Sequence, residues 1–156
     1  MLILGSGSAA RHQLLKNAGI EHYVLKSDIH EENVESADAK STVKILAEQK
    51  SKAVVQMLAS NNSPDIALGD ISSILGCDSL FELDNKAYGK PRDRLQAVER
   101  WQRMSCKSGF LHTGYSLIFT SKSSSEKSSI RIEKEITDVI STKIIFAELS
   151  HKEIEE

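Results

Sequence analysis

Two long β-rich stretches dominate the second half of this chain. "GFLHTGYSLIFTS" begins at Gly109 and "IRIEKEITDVISTKIIF" begins at Ile130. Both are rich in β-branched and aromatic residues, and only "KSSSEKSS" (Lys122 to Ser129) lies between them. Such a pair reads as two long strands joined by an exposed hairpin loop. The loop is too short to link domains, and 156 residues with 40% hydrophobic content suffice for one domain with a real core. The expectation is a single domain over residues 1–156.

The first half has a different rhythm. Leu2 to Leu4 reads as a short buried strand, and Gly5-Ser6-Gly7-Ser8 as a small-residue turn. Ser8 is placed to cap a helix through Ala18, with Gly19 stopping it. "HYVLKS" (His22 to Ser27) is a second short strand, and "DIHEENVESADAK" a polar loop. A strong helix is expected from about Ser41 to Ala59, with Val43, Leu46, Ala47, Val54, Met57 and Leu58 as its apolar stripe. Two short apolar runs, "IAL" and "SIL", precede "GCDSLFELDNKAYGKPRD" (Gly76 to Asp93). In that segment Leu80, Phe81 and Leu83 are strand formers and Asp84-Asn85 a turn pair. From Asp93, a good N-cap, a helix is expected to carry Leu95, Val98, Trp101 and Met104 inward. At the end, Ser150 and Glu153 make a capping-box pattern for a helix that stops after about six residues, which reads either as a truncated form of a longer protein or as a frayed terminal turn.

Charge and cysteine usage narrow the function classes. The formal net charge of −2 supplies no general basic field for nucleic acid, and 5% aromatics carry no stacking motif. An anionic ligand would need a local cluster of cations. Cys77 and Cys106 make neither a disulfide framework nor a metal-ligand spacing, so both read as structural in a reduced compartment. The apolar run at the N-terminus is only four residues, and no stretch is long enough to span a bilayer; a cytoplasmic location is the default reading.

Several residues are candidates for chemistry. The turn "GSGSAAR" follows a strand and opens a helix, where backbone N–H groups and the helix dipole favour an anion and Arg11 can clamp phosphate. It is neither a Walker loop nor a dinucleotide fingerprint, and such turns are common. Lys50 falls inside the apolar stripe of its helix. It is either a lysine snorkelling at the stripe's edge or one pointed into an anion-binding cleft. Asp28 and Glu31 flank His30 in a polar loop, where carboxylates are usually only solvated. Asp78 and Lys90 sit at the two ends of a hairpin-like unit, within reach of one cleft or simply paired on the surface. His112-Thr113-Gly114 interrupts a strand; the His is more often structural than a base, and the Gly suggests a bulge or the close approach of a ligand.

The order "LILGSGSAARHQLLKNAGI", "SDIHE", "LAEQKSKAV", "GCDS…GKPRD" and "LHTGYSL" resembles the Maf family of nucleoside triphosphate pyrophosphatases over nearly the whole chain, with "GCDS" and "LHTG" similar to actinobacterial members. The resemblance implies an α/β fold: an elongated mixed sheet with flanking helices around a deep cleft, like that of inosine triphosphate pyrophosphatases. It also implies a homodimer that hydrolyses a nucleoside triphosphate to the monophosphate and pyrophosphate with Mg²⁺ or Mn²⁺. Carried over by motif, the catalytic aspartate falls on Asp78, and Asp70 in "ALGD" is a decoy by its interval to Lys90. Ser6, Ser8, Arg11, Lys50 and Lys90 match the substrate-binding positions, and Glu31 with Asp78 the metal-binding acids. The chain departs from the family in having Ala9 for the usual Pro and Ala10 where some members carry a second basic residue. The stretch from Ser63 to Ile74 is longer than the family needs, and the family continues beyond the segment matched by Phe146, Leu149, Ser150, Glu153 and Ile154. The alternative from another class is a non-catalytic nucleotide- or protein-binding module linked to septum formation.

Overall fold

The computed structural model describes residues 1–27, 29, 36, 38–60, 70–122 and 130–155. The elements run β1 (Leu2–Leu4), α1 (Ala9–Asn17), β2 (His22–Val24), α2 (Ala39–Ala59), β3 (Ser73–Leu83), β4 (Lys86–Tyr88), α3 (Arg94–Met104), β5 (Ser108–Lys122), β6 (Ile130–Ile145) and α4 (His151–Glu155). The six strands form one sheet in the order β2-β1-β3-β5-β6, with β4 also on β3. β1 is parallel to both β2 and β3, whereas β3–β5, β5–β6 and β3–β4 are antiparallel. The sheet is therefore mixed, with helices flanking it, as the resemblance implies.

The caps follow the sequence. Ser8 caps α1 and Asp93 caps α3 through their side chains, and Gly19 takes the positive φ that ends α1. α2 begins two residues earlier than its periodicity suggests, because Asp38 accepts from Ser41 N at 2.8 Å and supplies the cap. Asp84 and Asn85, with φ of 51° and 58°, make the tight turn between β3 and β4. Ser150 and Glu153 form the reciprocal capping box of α4. β2 is shorter than expected and stops at Val24.

One face of the sheet is buried under α2. Ile3, Leu25, Val54, Leu58, Ile71, Ile74 and Ile118 form the core cluster there. On β5, His112, Gly114, Ser116 and Ile118 are the buried members of an alternating pattern that runs without interruption from Leu111. The expected break at His112-Thr113-Gly114 is thus absent, and the bulge lies between Phe119 and Thr120. Gly114 serves the close approach of a helix rather than of a ligand. A Cβ there would stand 2.1 Å from the Val43 carbonyl oxygen, and one at Gly76 would stand 2.2 Å from that of Ala47. Two bare positions on adjacent strands let α2 rest its backbone directly on the sheet.

α3 corrects another expectation. None of its residues is fully buried, and Leu95 (78%) and Trp101 (44%) are largely exposed. The helix stands off the sheet instead of seating on it, over an apolar cavity of about 250 Å³ lined in part by Phe81, Leu111, Met104 and Phe146. Trp101 makes an edge contact with Phe146, just past β6, at 5.6 Å between centroids. Past α3, Cys106 adopts φ 59° and is exposed, so the structural reading holds for Cys77 alone of the two thiols. A left-handed L-residue after a helix costs about 1–2 kcal/mol against glycine. Cys106→Gly is expected to raise stability by roughly 0.5–1 kcal/mol, read as a higher urea midpoint at unchanged slope; a lower midpoint would show that the side chain contributes more than the backbone loses.

Candidate functional site

The sheet has a gap, and Ser6, Arg11, Lys50 and Asp78 lie around it. β3 pairs with β5 along one edge, from Ser73 to Glu82. On its other edge it pairs with β1 only at Ser73–Leu75 and with β4 only at Phe81–Leu83. Among the described residues, 76–80, containing Cys77, Asp78 and Ser79, have no strand partner on that side. The Gly5–Ser8 turn enters from the β1 end, where Gly5 N donates to Leu75 O at 2.8 Å. The loop carrying Lys90 enters from the β4 end, two residues past Tyr88, which pairs with Phe81.

Lys50 and Asp78 form the centre. Because α2 sits so low on Gly76 and Gly114, the lysine in its apolar stripe reaches β3, and Lys50 Nζ lies 2.6 Å from Asp78 Oδ1. Both residues are under 10% exposed. Lys50 therefore does not snorkel to solvent. A buried ion pair is poor value for stability, since desolving two charges offsets most of their attraction. Among the described residues, no partner takes Asp78 Oδ2, which leaves one carboxylate oxygen for a proton or a cation.

Arg11 behaves differently from the free phosphate clamp envisaged in the sequence. Its Nη1 donates to Ser6 Oγ at 2.8 Å and to Cys77 O at 3.1 Å, and its Nη2 to Ser79 Oγ at 2.8 Å. The guanidinium thereby staples the turn to the unpaired edge of β3. Ser79 Oγ is held in turn against Thr113 Oγ1 at 2.9 Å. Ser6 Oγ also lies 3.4 Å from Ser8 N, and Ser8 Oγ 3.4 Å from Arg11 N. Sequence reasoning missed Ser79, Thr113 and the Cys77 carbonyl; the only available signal was a hydroxyl directly after Asp78.

Lys90 is exposed, and its loop is fixed from behind. Arg100 donates to Gly89 O and lies 5.6 Å over the Tyr88 ring. Glu31, with Asp28 and His30, lies outside the described residues, so the expected pairing of Glu31 with Asp78 is not placed. Asp70 is exposed, and among the described residues its carbonyl alone is engaged, accepting from the N-terminal ammonium at 2.6 Å. Burial pushes the Cys77 thiol up, against the smaller opposing pull of Arg11 and Lys50, so it stays a neutral thiol rather than a nucleophile. His112 is buried, with Nδ1 2.8 Å from Ser141 Oγ and Nε2 3.6 Å from Glu82 Oε2, too far for a hydrogen bond. It lies two residues along β5 from Gly114, the partner of Asp78.

Among the described residues there is no cluster of three or more His, Cys, Asp or Glu able to hold a metal. Asp78 alone still fits a hard cation that takes one or two protein carboxylates and completes its shell with water and substrate oxygens. No helix of the described residues is long and apolar enough to cross a membrane.

A nucleoside triphosphate pyrophosphatase of Prochlorococcus marinus (strain NATL2A) is 41% identical over 154 residues, which cover 99% of this chain and 72% of the relative. One from Synechococcus sp. (strain CC9605) is 37% identical over 153 residues, covering 98% of this chain and 74% of the relative. These relatives are cyanobacterial, not actinobacterial. Among solved structures, the Staphylococcus aureus Ham1 protein superposes with a TM-score of 0.41 and 12% identity, over 90% of this chain and 69% of that one. The sequence model of the family described as Maf-like protein matches residues 1–156, and the chain belongs to the Maf family.

Proposed function

We propose that this chain is a nucleoside triphosphate pyrophosphatase, acting as a single Maf-like domain that binds its nucleotide across the gap in β3. The observation that carries the reading is the buried Lys50–Asp78 pair at the unpaired edge of β3, between an anion-accepting turn and the Lys90 loop. The name borne by relatives at 37–41% identity supports it.

The chemistry follows from charge. A triphosphate brings several negative charges, and further charge builds on the bridging oxygen as it leaves. Lys50 and Lys90 stabilise that charge at fixed positions, which is most of what phosphoryl-transfer catalysis requires. Ser6, Ser8 and the backbone of the turn receive phosphate oxygens at the start of α1, and Arg11 holds the turn against β3. Asp78, anchored through Oδ1 by Lys50, presents Oδ2 to a water. The water oxygen bonds to the α-phosphorus, its proton passes to Asp78, and the bond from the α-phosphorus to the bridging oxygen breaks. The monophosphate and pyrophosphate leave. A Mg²⁺ or Mn²⁺ held by Asp78, Glu31 and phosphate oxygens would supply charge neutralisation to the leaving pyrophosphate.

Two free thiols suit the cytoplasm. A homodimer is consistent with the exposed, strand-unpaired outer edge of β6. Kinship with actinobacterial members rests on the "GCDS" and "LHTG" wording alone.

Pyrophosphate release from a panel of canonical and modified nucleoside triphosphates, with Mg²⁺ or Mn²⁺ and an EDTA control, tests the proposal. Metal-dependent release from at least one of them is the expected result. Tight nucleotide binding with no release from any, here and in a full-length relative assayed alongside, would replace the enzyme by a binding module.

A further inference from the structure

A small-residue turn ahead of a helix needs a cation if it is to hold a polyphosphate, and the one that sequence motifs offer is committed elsewhere. Both Nη1 protons and one Nη2 proton of Arg11 go to Ser6, Cys77 and Ser79. Another side chain covers the turn. Lys26 follows β2, and the chain on either side of it is tied to the residues that enter the turn. Leu25 N donates to Leu4 O at 3.1 Å and Ser27 Oγ to Gly5 O at 3.3 Å.

Thus fixed, Lys26 runs its stem over Gly7. A Cβ at Gly7 would meet Lys26 Cε at 3.0 Å, Cδ at 3.2 Å and Cγ at 3.3 Å. The stem fills the place that any larger residue at position 7 would take. The residue remains exposed, and among the described residues no carboxylate pairs with its ammonium. The Lys26 stem thus lies across Gly7, between Ser6 and Ser8, in the turn that opens α1, where backbone N–H groups favour an anion.

We propose that Lys26 is a phosphate-binding residue, contacting the part of the triphosphate that departs as pyrophosphate. This rests on the nucleotide reading above and extends it. β2 lies two strands from β3, and with strands about 4.8 Å apart its backbone stands roughly 10 Å from the strand that carries Asp78. If the α-phosphorus sits at Asp78, a lysine so placed serves the distal phosphates.

Binding separates this inference from the catalytic reading. Lys26→Met keeps an unbranched stem over Gly7 and removes the charge, whereas Lys26→Arg keeps the charge. The probes are inorganic pyrophosphate, the α,β-methylene analogues of ATP, GTP, CTP and UTP, and the corresponding monophosphates, titrated calorimetrically. Lys26→Met is expected to weaken pyrophosphate and the bound triphosphate analogue about tenfold and the monophosphate less than about twofold, with Lys26→Arg near wild type. In turnover, KM should rise by a similar factor with kcat changing far less. Unchanged pyrophosphate and analogue affinity in Lys26→Met would overturn the inference and leave the enzyme reading intact. Equal losses for monophosphate and triphosphate would also overturn it, since the lysine would then be shaping the turn. Wild-type protein that binds none of the triphosphate analogues would overturn the nucleotide reading, and the role of Lys26 with it.

Discussion

Asp78→Asn is expected to lower pyrophosphate release by at least about a hundredfold, the lower end of what removing a positioned general base costs, while nucleotide binding is largely kept. The carboxamide has almost the shape of the carboxylate and still offers Lys50 Nζ an acceptor oxygen, so the 2.6 Å contact has a neutral substitute. It cannot accept a proton from water, and it presents a cation with a weaker ligand. Some stability is lost as well, because the buried ammonium of Lys50 loses the charge at its side; removing one partner of a buried pair costs about 3–5 kcal/mol when nothing replaces it, and less when an acceptor remains. Activity must therefore be compared at a temperature where both proteins are folded by circular dichroism. Asp70→Asn is the matched control, an exposed acid in similar local sequence that should lose nothing. Turnover near the wild-type rate in folded Asp78→Asn would remove Asp78 from the mechanism.

Gly114→Ala should have one of the largest effects on the fold of any methyl added at the described glycines. The new carbon would lie 2.1 Å from Val43 O and 2.4 Å from Val43 C, both backbone atoms of a helix that cannot turn aside as a side chain can. α2 must lift from the sheet by an ångström or more, and overpacking of that kind costs about 1–3 kcal/mol or more. The loss reads out as a lower urea midpoint. The lift also withdraws Lys50 from Asp78, so the fraction still folded should turn over more slowly than wild type. Gly89→Ala marks the contrast: its nearest neighbour would be Leu80 Cδ2 at 3.8 Å, ordinary contact, and its midpoint should barely move. An unchanged midpoint for Gly114→Ala would mean that α2 does not rest on the sheet as described.

What was legible in the sequence was what short-range chemistry dictates. The capped starts of α1 and α3, the Asp84-Asn85 turn, the long β5–β6 hairpin and the stripe of α2 each follow from residues a few positions apart. Lys50 was ambiguous for a physical reason: helical periodicity says which face a residue is on, not how close that face comes to its neighbour. The closeness is set by Gly76 and Gly114, on other elements. Ser79, Thr113 and the Cys77 carbonyl escaped notice because their roles exist only once Arg11, sixty-six residues or more before the two β3 partners, has folded onto them. α3 misled for the opposite reason. Its periodic pattern was real, but the helix stands over a cavity, and a pattern cannot report how far away the partner surface lies.

The position of β1 between β2 and β3 has a consequence for how the molecule is made. β2 follows β1 after a single helix, so the first parallel pair can close as soon as that unit has emerged from the ribosome. The other edge of β1 must wait for Ser72 and Ser73, some seventy residues after Met1, at about 5–20 residues per second. For several seconds the newborn chain offers an unpaired, apolar strand edge to whatever is nearby, and the pocket that would take a nucleotide does not yet exist. Non-local closure of this kind slows folding. A bound triphosphate, bridging the turn after β1 to the middle of β3, would hold together two pieces of chain made some seventy residues apart.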